Sequence, residues 1–255
     1  MKNSSSRAAP ASPPPKLLTA SVAGRLAREA AASGPGEVCA VFRRSFYARF
    51  PGERYACIGE ASLGLGPLNA LVLGFETFSP GQKIYLKTQN TWAPPTMRGL
   101  PDVGYIRAHA RPPEEGLGGL VTGRHNALVE HARPALDAID RWLDGHTLAR
   151  DAEGLIGLGP GLTPSGDDYL GGMLVALRAC GRAAQAESLW RWLRPRLPGR
   201  TNAISAAHLA AAAQGEAHEA LHAVLAGDDP ARLDAVGHCS GWDGLAGAAA
   251  VARIA

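Results

Sequence analysis

The stretch GLGPGLTPSGDDYLGG (residues 157–172) contains six glycines, two prolines and two adjacent aspartates. A second stretch, SGWDGLAG (residues 240–247), repeats the frame of residues 165–172 as S-G-x-D-x-L-x-G. Glycine and proline interrupt regular structure, and a serine followed three residues later by an acid is typical of a helix start. The two stretches therefore predict two helices that begin in the same way.

Ordinary helix initiation is one interpretation of this repeat. Ser165 with Asp168, and Ser240 with Asp243, have the spacing of a capping box, and carboxylates in a first turn interact favourably with the helix dipole. Capping requires neither the preceding GLGPGLTP nor a second carboxylate at Asp167, which adds unfavourable negative charge. The repeat therefore also predicts a functional site.

Small residues occur further along both predicted helices. Gly171, Gly172 and Gly247 would let the helices approach closely, because glycine presents no side chain to a neighbour. A close pair would direct both N-termini into one cleft. Exposed N–H groups of a glycine-rich turn at a helix start bind phosphate or carboxylate. The expected ligand is therefore a small anion.

The candidate site residues come from the two helix starts and from the segment TNAIS (residues 201–205). Hydroxyl, amide and backbone N–H groups would bind substrate, while carboxylates would orient a substrate amide or hold Mg²⁺ against a phosphate. The candidate catalytic residues are Asp168, Asp243 and His238. The candidate substrate-binding residues are Gly159, Gly161, Thr163, Ser165, Gly166, Asp167, Asn202, Ser240 and Gly241. If Mg²⁺ binds, its expected ligands are Asp167, Asp168 and Asp243.

Structural alternatives exist for two of these candidates. TNAIS is also a suitable helix start, with Thr201 or Asn202 as the cap, and a histidine such as His238 at a helix entrance often has a structural role. The glycine loop itself is not a Walker A motif, because no Gly-Lys-Ser/Thr follows it. It also lacks the strand–G-x-G-x-x-G–helix context of a dinucleotide site.

The sequence around the motifs predicts an α+β fold. Short β-rich runs (EVCAVFRRSFYARF, RYACIGEA, NALVLGFETF and QKIYLKTQNTW) alternate with turn signals and predict a small antiparallel barrel or sandwich. Helical periodicity follows from His125, with Pro134 expected to kink or divide the first helix. Residues 16–33 are predicted to form a helix that ends at Gly34, and RPPEEGLGG (residues 111–119) a connector. The expected divisions are a disordered Ser/Pro-rich tail (1–15), a β-rich subdomain (16–121) and a helical subdomain (122–255).

Composition narrows the class of protein. The 255 residues have a formal net charge of only +3, and no run of Lys or Arg concentrates it, so nucleic-acid binding is not expected. No segment reaches the roughly 18 consecutive apolar residues of a membrane span, and the N-terminus lacks the apolar core of a signal peptide. Four scattered cysteines without a C-x-x-C pair favour reduced thiols in a cytoplasmic protein.

A zinc hydrolase is a weaker alternative. HEALH (residues 218–222) satisfies H-E-x-x-H, which would place His218 and His222 on one helical face with Glu219 as the general base. No glutamate follows Glu219 to serve as a third ligand, and nothing marks out an aspartate for that role.

The ordered combination of the glycine loop, TNAIS and GHCSGWDGLAG (residues 237–247) resembles the AllH-type family, one branch of which is assigned as a subunit of oxamate carbamoyltransferase. The resemblance covers roughly residues 154–250. It implies a cytoplasmic subunit that works with an FdrA-like and an AllG-type subunit in anaerobic allantoin breakdown. Together they would interconvert oxalurate plus phosphate with oxamate plus carbamoyl phosphate. The family pattern often has threonine where this chain has Cys239.

Two functions are therefore expected as alternatives. In the first, the chain is a carbamoyltransferase subunit that binds carbamoyl phosphate or a similar small anion at the glycine loop, and the candidate cofactor is Mg²⁺. Alternatively, it is a non-catalytic structural or regulatory subunit whose glycine-lined helices serve as an interface. The candidate residues would then act only in capping and packing.

Overall fold

The computed structural model describes residues 14–97 and 103–253. Nearly all of the predicted N-terminal tail (1–15) lies outside these residues. The strands are β1 (Lys16–Gly24), β2 (Gly36–Val41), β3 (Ser45–Phe50), β4 (Arg54–Gly59), β5 (Asn69–Val72) and β6 (Lys83–Trp92). The helices are α1 (Arg25–Ala32), α2 (Val103–His109), α3 (Ala127–Leu143), α4 (Ser165–Ala179), α5 (Ala183–Leu193), α6 (Ala203–Ala212), α7 (Glu219–Leu225) and α8 (Ser240–Ala252).

The six strands form a closed barrel in the order β1-β5-β4-β3-β2-β6, and helices follow it. The predicted α+β class is confirmed, and the barrel is the form that its β-rich half takes. Most neighbouring strands are antiparallel, as expected, but β1 pairs in parallel with β6 and β4 pairs in parallel with β5. The β1–β6 pair joins the first and last strands. No local turn sets their relative direction, so short-range turn signals could not predict it.

The first predicted helix is half wrong. Residues 16–24 form β1, which is paired with β5 on one side and β6 on the other, and only residues from Arg25 onward form α1. Gly24 lies at the boundary between β1 and α1, where there is no room for a side chain: a Cβ there would lie 2.0 Å from the carbonyl oxygen of Gly66. The predicted end of the helix is correct: Gly34 follows with a φ of +130°.

The helix α3 runs without division through Pro134. The side chain of Asn126 caps its start by accepting a hydrogen bond from the N–H of Val129, 2.9 Å away. Its apolar residues at helical spacing form one buried face, which includes Ala132, Leu136, Ile139 and Leu143. Proline inside a helix costs about 3 kcal/mol through a lost N–H donor and a clash with the preceding turn, and burial of this face on both sides of Pro134 offsets that cost.

The helices α4 and α8 pack at backbone contact, as the small residues predict. A Cβ on Gly172 would lie 1.8 Å from the carbonyl oxygen of Gly244, and one on Gly247 would lie 1.8 Å from that of Tyr169. Gly171 has a different role from the one expected. Its nearest side-chain neighbour would be Ala212 of α6, at an ordinary 3.7 Å.

Buried apolar residues form one core inside the barrel and a larger one among the helices. Residues between Ile106 and Val121 pack in the helical core. A small third cluster joins the two halves through Tyr55 and Leu68 on the barrel side and Ile204 and Ala211 of α6. Among the described residues, no helix has the length and apolar character needed to cross a bilayer.

Candidate functional site

A cavity of about 1090 Å³ lies where the barrel meets the helices, and the first turns of α4 and α8 both open into it. The barrel contributes side chains from β3, β4 and β5, and α6 forms a further part of the wall. Such a volume at the junction of two packed units is typical of small-molecule sites. The expectation that two distant helix starts share a cleft is met.

Side chains of the two motifs contact each other across the helix pair. The hydroxyl oxygens of Thr163, before α4, and Ser240, in α8, are 2.8 Å apart. The hydroxyl of Ser240 interacts with Asp168 of α4, and that of Ser165 in α4 interacts with Asp243 of α8. Each motif therefore supplies a serine to the aspartate of the other.

The capping-box interpretation is not what the structure shows. The N-cap residues are Pro164 for α4 and Cys239 for α8, and neither side chain caps its helix. Ser165 and Ser240 are instead the first residues inside their helices, which directs their hydroxyls across the helix pair. The S-G-x-D repeat therefore builds a shared site between two helices.

The carboxylate of Asp243 is enclosed and only half satisfied. Its side chain is 1 % exposed, and Oδ1 accepts hydrogen bonds from the N–H groups of Leu117 (2.6 Å) and Gly118 (2.9 Å). Gly116 leaves the space for this contact, because a Cβ there would lie 2.5 Å from Oδ1. The stretch predicted to be a connector (residues 111–119) is thus part of the site.

Three carboxylate oxygens of cavity-lining residues are buried and have no hydrogen-bond partner within the described structure: Oδ2 of Asp168, Oδ2 of Asp243 and Oε2 of Glu216. The Asp168 side chain as a whole is half-buried, but this oxygen is enclosed. Buried polar atoms are rarely left unpaired in folded proteins, because each such atom costs about 1–3 kcal/mol. Glu216 has an ion pair with Arg25 through its other oxygen, whereas the two aspartates have none, and their unpartnered oxygens between the helix starts indicate a place for a ligand.

Burial raises the pKa of both carboxyl groups. It raises the pKa of Asp168 well above the ordinary value; the hydroxyl of Ser240 opposes this shift, and the charge of Asp243 adds to it. Burial raises the pKa of Asp243 to about 6, against hydrogen bonds from Ser165 and from the N–H groups of Leu117 and Gly118. Burial therefore favours the protonated form of Asp168 more than in an exposed aspartate, while Asp243, with a pKa of about 6, is mostly ionised at neutral pH.

The raised pKa of Asp243 predicts a stability that falls as pH rises. The folded pKa of about 6 exceeds the ordinary value of 3.8, so the folded state holds the proton more tightly. The stabilising effect is complete below about pH 4 and is lost as pH rises through about 6. Asp243→Asn should therefore raise the free energy of unfolding by about 3 kcal/mol at pH 7 and change it little at pH 4. Urea denaturation across this pH range measures both values, and an equal effect at the two pH values would contradict the burial of an ionised Asp243.

The side chains of the cavity wall carry more acidic groups than basic ones. Among the described residues that line it there is no Lys or Arg. The lining carboxylates are Glu114, Glu115, Asp167, Asp168, Glu216 and Asp243. Glu216 pairs with Arg25, 2.7 Å away, but Asp168 and Asp243 have no such partner within the described structure. A ligand for this site must supply N–H donors, a proton acceptor for Asp168 or a cation.

Asp167 has a different environment from Asp168. Its Oδ1 accepts a hydrogen bond from the N–H of Gly157 (2.8 Å), and its Oδ2 accepts from the hydroxyls of Ser205 (2.6 Å) and Thr201. Since both oxygens are engaged, Asp167 braces the glycine loop against the start of α6.

The other sequence-predicted residues divide into two groups. Those that line the cavity are Gly161, Thr163, Ser165, Asp168, His238, Ser240, Gly241 and Asp243, together with the braced Asp167. Gly159, Gly166 and Asn202 lie behind this wall. Asn202 caps α6 by accepting from the N–H of Ser205 and holds the loop by donating to the carbonyl oxygen of Leu162. A Cβ on Gly166 would lie 2.0 Å from the carbonyl oxygen of Leu155.

The residues on the barrel side of the cavity were not predicted from the sequence. The phenol oxygen of Tyr47 in β3 lies 3.1 Å from Nε2 of His208 in α6, and both residues line the cavity. Burial, and then the nearby His218, lower the pKa of His208 to about 4, so its ring is neutral at physiological pH. Burial raises the pKa of Tyr47, whose phenol therefore keeps its proton. Further barrel residues in the wall are Ser45, Cys57 and Asn69.

The H-E-x-x-H sequence serves to dock α7 on the barrel. His218 is the N-cap of the helix: its Nδ1 accepts from the N–H of Ala220, and its Nε2 lies 3.0 Å from the carbonyl oxygen of Leu63. Glu219 accepts from the N–H of Leu65, and Nε2 of His222 accepts from that of Ala217. These atoms are engaged in protein contacts, so the geometry does not support a zinc hydrolase at this position.

The closed barrel, the helical half and the cavity between them define an α+β protein with paired helix starts in a common pocket. The model of a protein family described as "Oxamate carbamoyltransferase subunit AllH" matches residues 155–252. Over these residues the resemblance to that family is confirmed, and the description makes the family's members part of a multi-subunit enzyme. No curated protein and no solved structure gives a match to the chain.

Proposed function

We propose that the chain is a cytoplasmic subunit of a carbamoyltransferase of the oxamate carbamoyltransferase type. Its cavity would bind carbamoyl phosphate or a similar small anion with a carbamoyl or amide group. The observation that carries this proposal is the pair of buried, unpartnered oxygens on Asp168 and Asp243 between two helix starts. The match of residues 155–252 to the AllH family model supports the choice of a carbamoyl compound as the ligand.

The protonation of the two aspartates suits such a ligand. A carbamoyl or amide NH₂ group donates hydrogen bonds, which the mostly ionised Asp243 accepts. Burial favours the protonated form of Asp168, whose O–H would donate to a phosphate or carboxylate oxygen. An anion would therefore not face two negative charges in the wall.

The anionic group of the ligand would lie at the glycine loop. The hydroxyl-bearing residues Thr163, Ser165 and Ser240 line the cavity, and the N-terminal turns of α4 and α8 bring positive dipole ends to the same place. Such preorganised donors would stabilise the charge that develops on a leaving phosphate. If Mg²⁺ enters with the phosphate, Asp168 and Asp243 would hold it, since the oxygens of Asp167 are already engaged.

Protein partners would complete the reaction. We propose that an FdrA-like and an AllG-type subunit assemble with this chain, and that they supply groups the cavity lacks, including cationic side chains. His238, which lies exposed at the cavity mouth, would act as an acid or base in the assembled enzyme. A purely structural subunit is the second candidate, and the backbone contact between α4 and α8 is what favours it.

Calorimetric titration tests the binding proposal. Oxamate, carbamoyl phosphate and phosphate are added, with and without Mg²⁺, to the purified chain and to its complex with the two partner subunits. Asp168→Ala, which removes the donor, and Asp243→Asn, which removes the charge, should each weaken binding about 10- to 100-fold, because a hydrogen bond to a charged group contributes about 1.5–3 kcal/mol.

The matched control is Asp137→Asn, at an exposed position of α3, which should leave the affinity unchanged. Circular dichroism confirms that each variant is folded. Saturable binding that both site variants weaken supports the proposal. Absence of binding to the chain and to the complex, or equal affinity in all variants, would leave the structural subunit as the function.

A further inference from the structure

A second group of polar side chains lies at the cavity mouth, outside the Asp168–Asp243 pair. The carboxylate of Glu115, the imidazole of His238 and the thiol of Cys239 each place one donor atom within 4.8 Å of the other two. All three residues line the cavity. Glu115 comes from the loop before the short 3-10 turn Gly118–Thr122. Cys239 is the N-cap residue of α8, and His238 directly precedes it.

We propose that Glu115, His238 and Cys239 bind one zinc ion at the mouth of the cavity. A tetrahedral zinc site with bonds of about 2.0–2.3 Å separates its ligand atoms by roughly 3.3–3.8 Å. Nε2 of His238 and Oε2 of Glu115 are already 3.3 Å apart. Sγ of Cys239 lies within 4.8 Å of both atoms, so a small side-chain movement of Glu115 and His238 would bring all three to this spacing.

The side chains of Glu115 and His238 are free to make that movement. The side chains of His238 and Glu115 are 77 % and 71 % exposed, so both can rotate without disturbing the core. Cys239 is held at the start of α8 and fixes the position of the site relative to the cavity. Two mobile ligands would thus close on one that is fixed.

A neighbouring buried oxygen gives an independent indication of a cation. Oδ2 of Asp243 and Cβ of Cys239 both lie 3.0 Å from the point that a Cβ on Gly116 would occupy. This Oδ2 is the unpartnered oxygen described above, on a side chain that is 1 % exposed. A zinc-bound water would donate a hydrogen bond to it. No Lys or Arg of the described cavity wall could do so.

The donor set selects the metal. Thiolate and imidazole ligands favour zinc over Mg²⁺, which prefers an all-oxygen site. Three protein ligands leave a fourth position open, as in zinc sites that bind substrate rather than in closed structural sites. Here that position faces the cavity, and the ion would supply the positive charge that the wall lacks. In this arrangement His238 is a ligand rather than an acid or base.

Zinc uptake by the full chain without an affinity tag tests the site and needs no substrate, so its result is separate from that of the anion-binding proposal. After removal of metal with a chelator, the chain should take up one zinc per molecule. With Co²⁺ it should show a thiolate-to-cobalt charge-transfer band. Cys239→Ser should abolish the band, and His238→Asn should weaken zinc affinity by at least the roughly 10- to 100-fold that is typical of losing a supporting residue.

Cys39→Ser is the matched control, because Cys39 is an exposed thiol on the barrel strand β2. This variant should retain the band and the stoichiometry. Zinc should also slow the alkylation of Cys239, measured by mass spectrometry, without slowing that of Cys39. Absence of zinc uptake, or a charge-transfer band that persists in Cys239→Ser, would overturn the proposal.

Discussion

Replacement of Gly172 by alanine should lower the free energy of unfolding by about 3 kcal/mol or more, because the added methyl group would overlap with the backbone of a neighbouring helix. The added Cβ would lie 1.8 Å from the carbonyl oxygen of Gly244, in the middle of α8. No side chain can rotate away, so α4 and α8 would have to separate. Gly247→Ala should have a similar effect, because its Cβ would meet the carbonyl oxygen of Tyr169.

Gly171→Ala is the control for this prediction. It adds the same methyl group one residue earlier in α4, where the nearest side-chain atoms lie at 3.7 and 3.9 Å. It should leave stability unchanged or raise it by up to about 1 kcal/mol, the difference in helix propensity between glycine and alanine. Urea denaturation of the three variants measures the effect. Similar losses at Gly171 and Gly172 would show that the close helix contact is not what limits substitution.

Asp167→Ala should lower the free energy of unfolding by about 3–5 kcal/mol, because it leaves several buried donors without an acceptor. The N–H of Gly157 and the hydroxyls of Ser205 and Thr201 all donate to this carboxylate. The backbone donor cannot reorient without moving the glycine loop. Amide hydrogen exchange in residues 157–164 should therefore become faster in the variant.

Asp137→Ala provides the comparison, since it removes an exposed aspartate of α3 and should change stability by no more than about 0.5 kcal/mol. Chemical denaturation gives the stability difference, and hydrogen exchange reports on the loop. A loss at Asp167 no larger than that at Asp137 would contradict the bracing role. So would unchanged exchange in the loop of a destabilised variant.

The sequence predicted the helical side of the site because a repeated motif marks it. Ser165, Asp168, Ser240 and Asp243 recur at equal spacing, and a repeat in two distant segments is hard to explain by local capping alone. The exchange of partners between the motifs was not predictable, however. It depends on the contact of Gly172 with α8, a distance that only the packed helices define.

The barrel side of the site carries no comparable signal. Tyr47 is one aromatic residue in an alternating strand, and nothing in its neighbours distinguishes a cavity position from a core position. The strand β1 was mistaken for a helix for a related reason. Its sequence, KLLTASVAG, suits either structure, and pairing with β5 and β6 on both sides decides between them. Local propensity is overridden where long-range pairing is available.

The docking of α7 on the loop before β5 has a consequence for shortened forms of the protein. A fragment limited to residues 155–252 would keep both serine–glycine–aspartate segments. It would lose Leu63 and Leu65, which anchor His218 and Glu219, and it would lose Tyr47 opposite His208. Half of the chamber would then be open to solvent. The smallest piece that could enclose the proposed ligand is therefore longer than the piece that carries the signature.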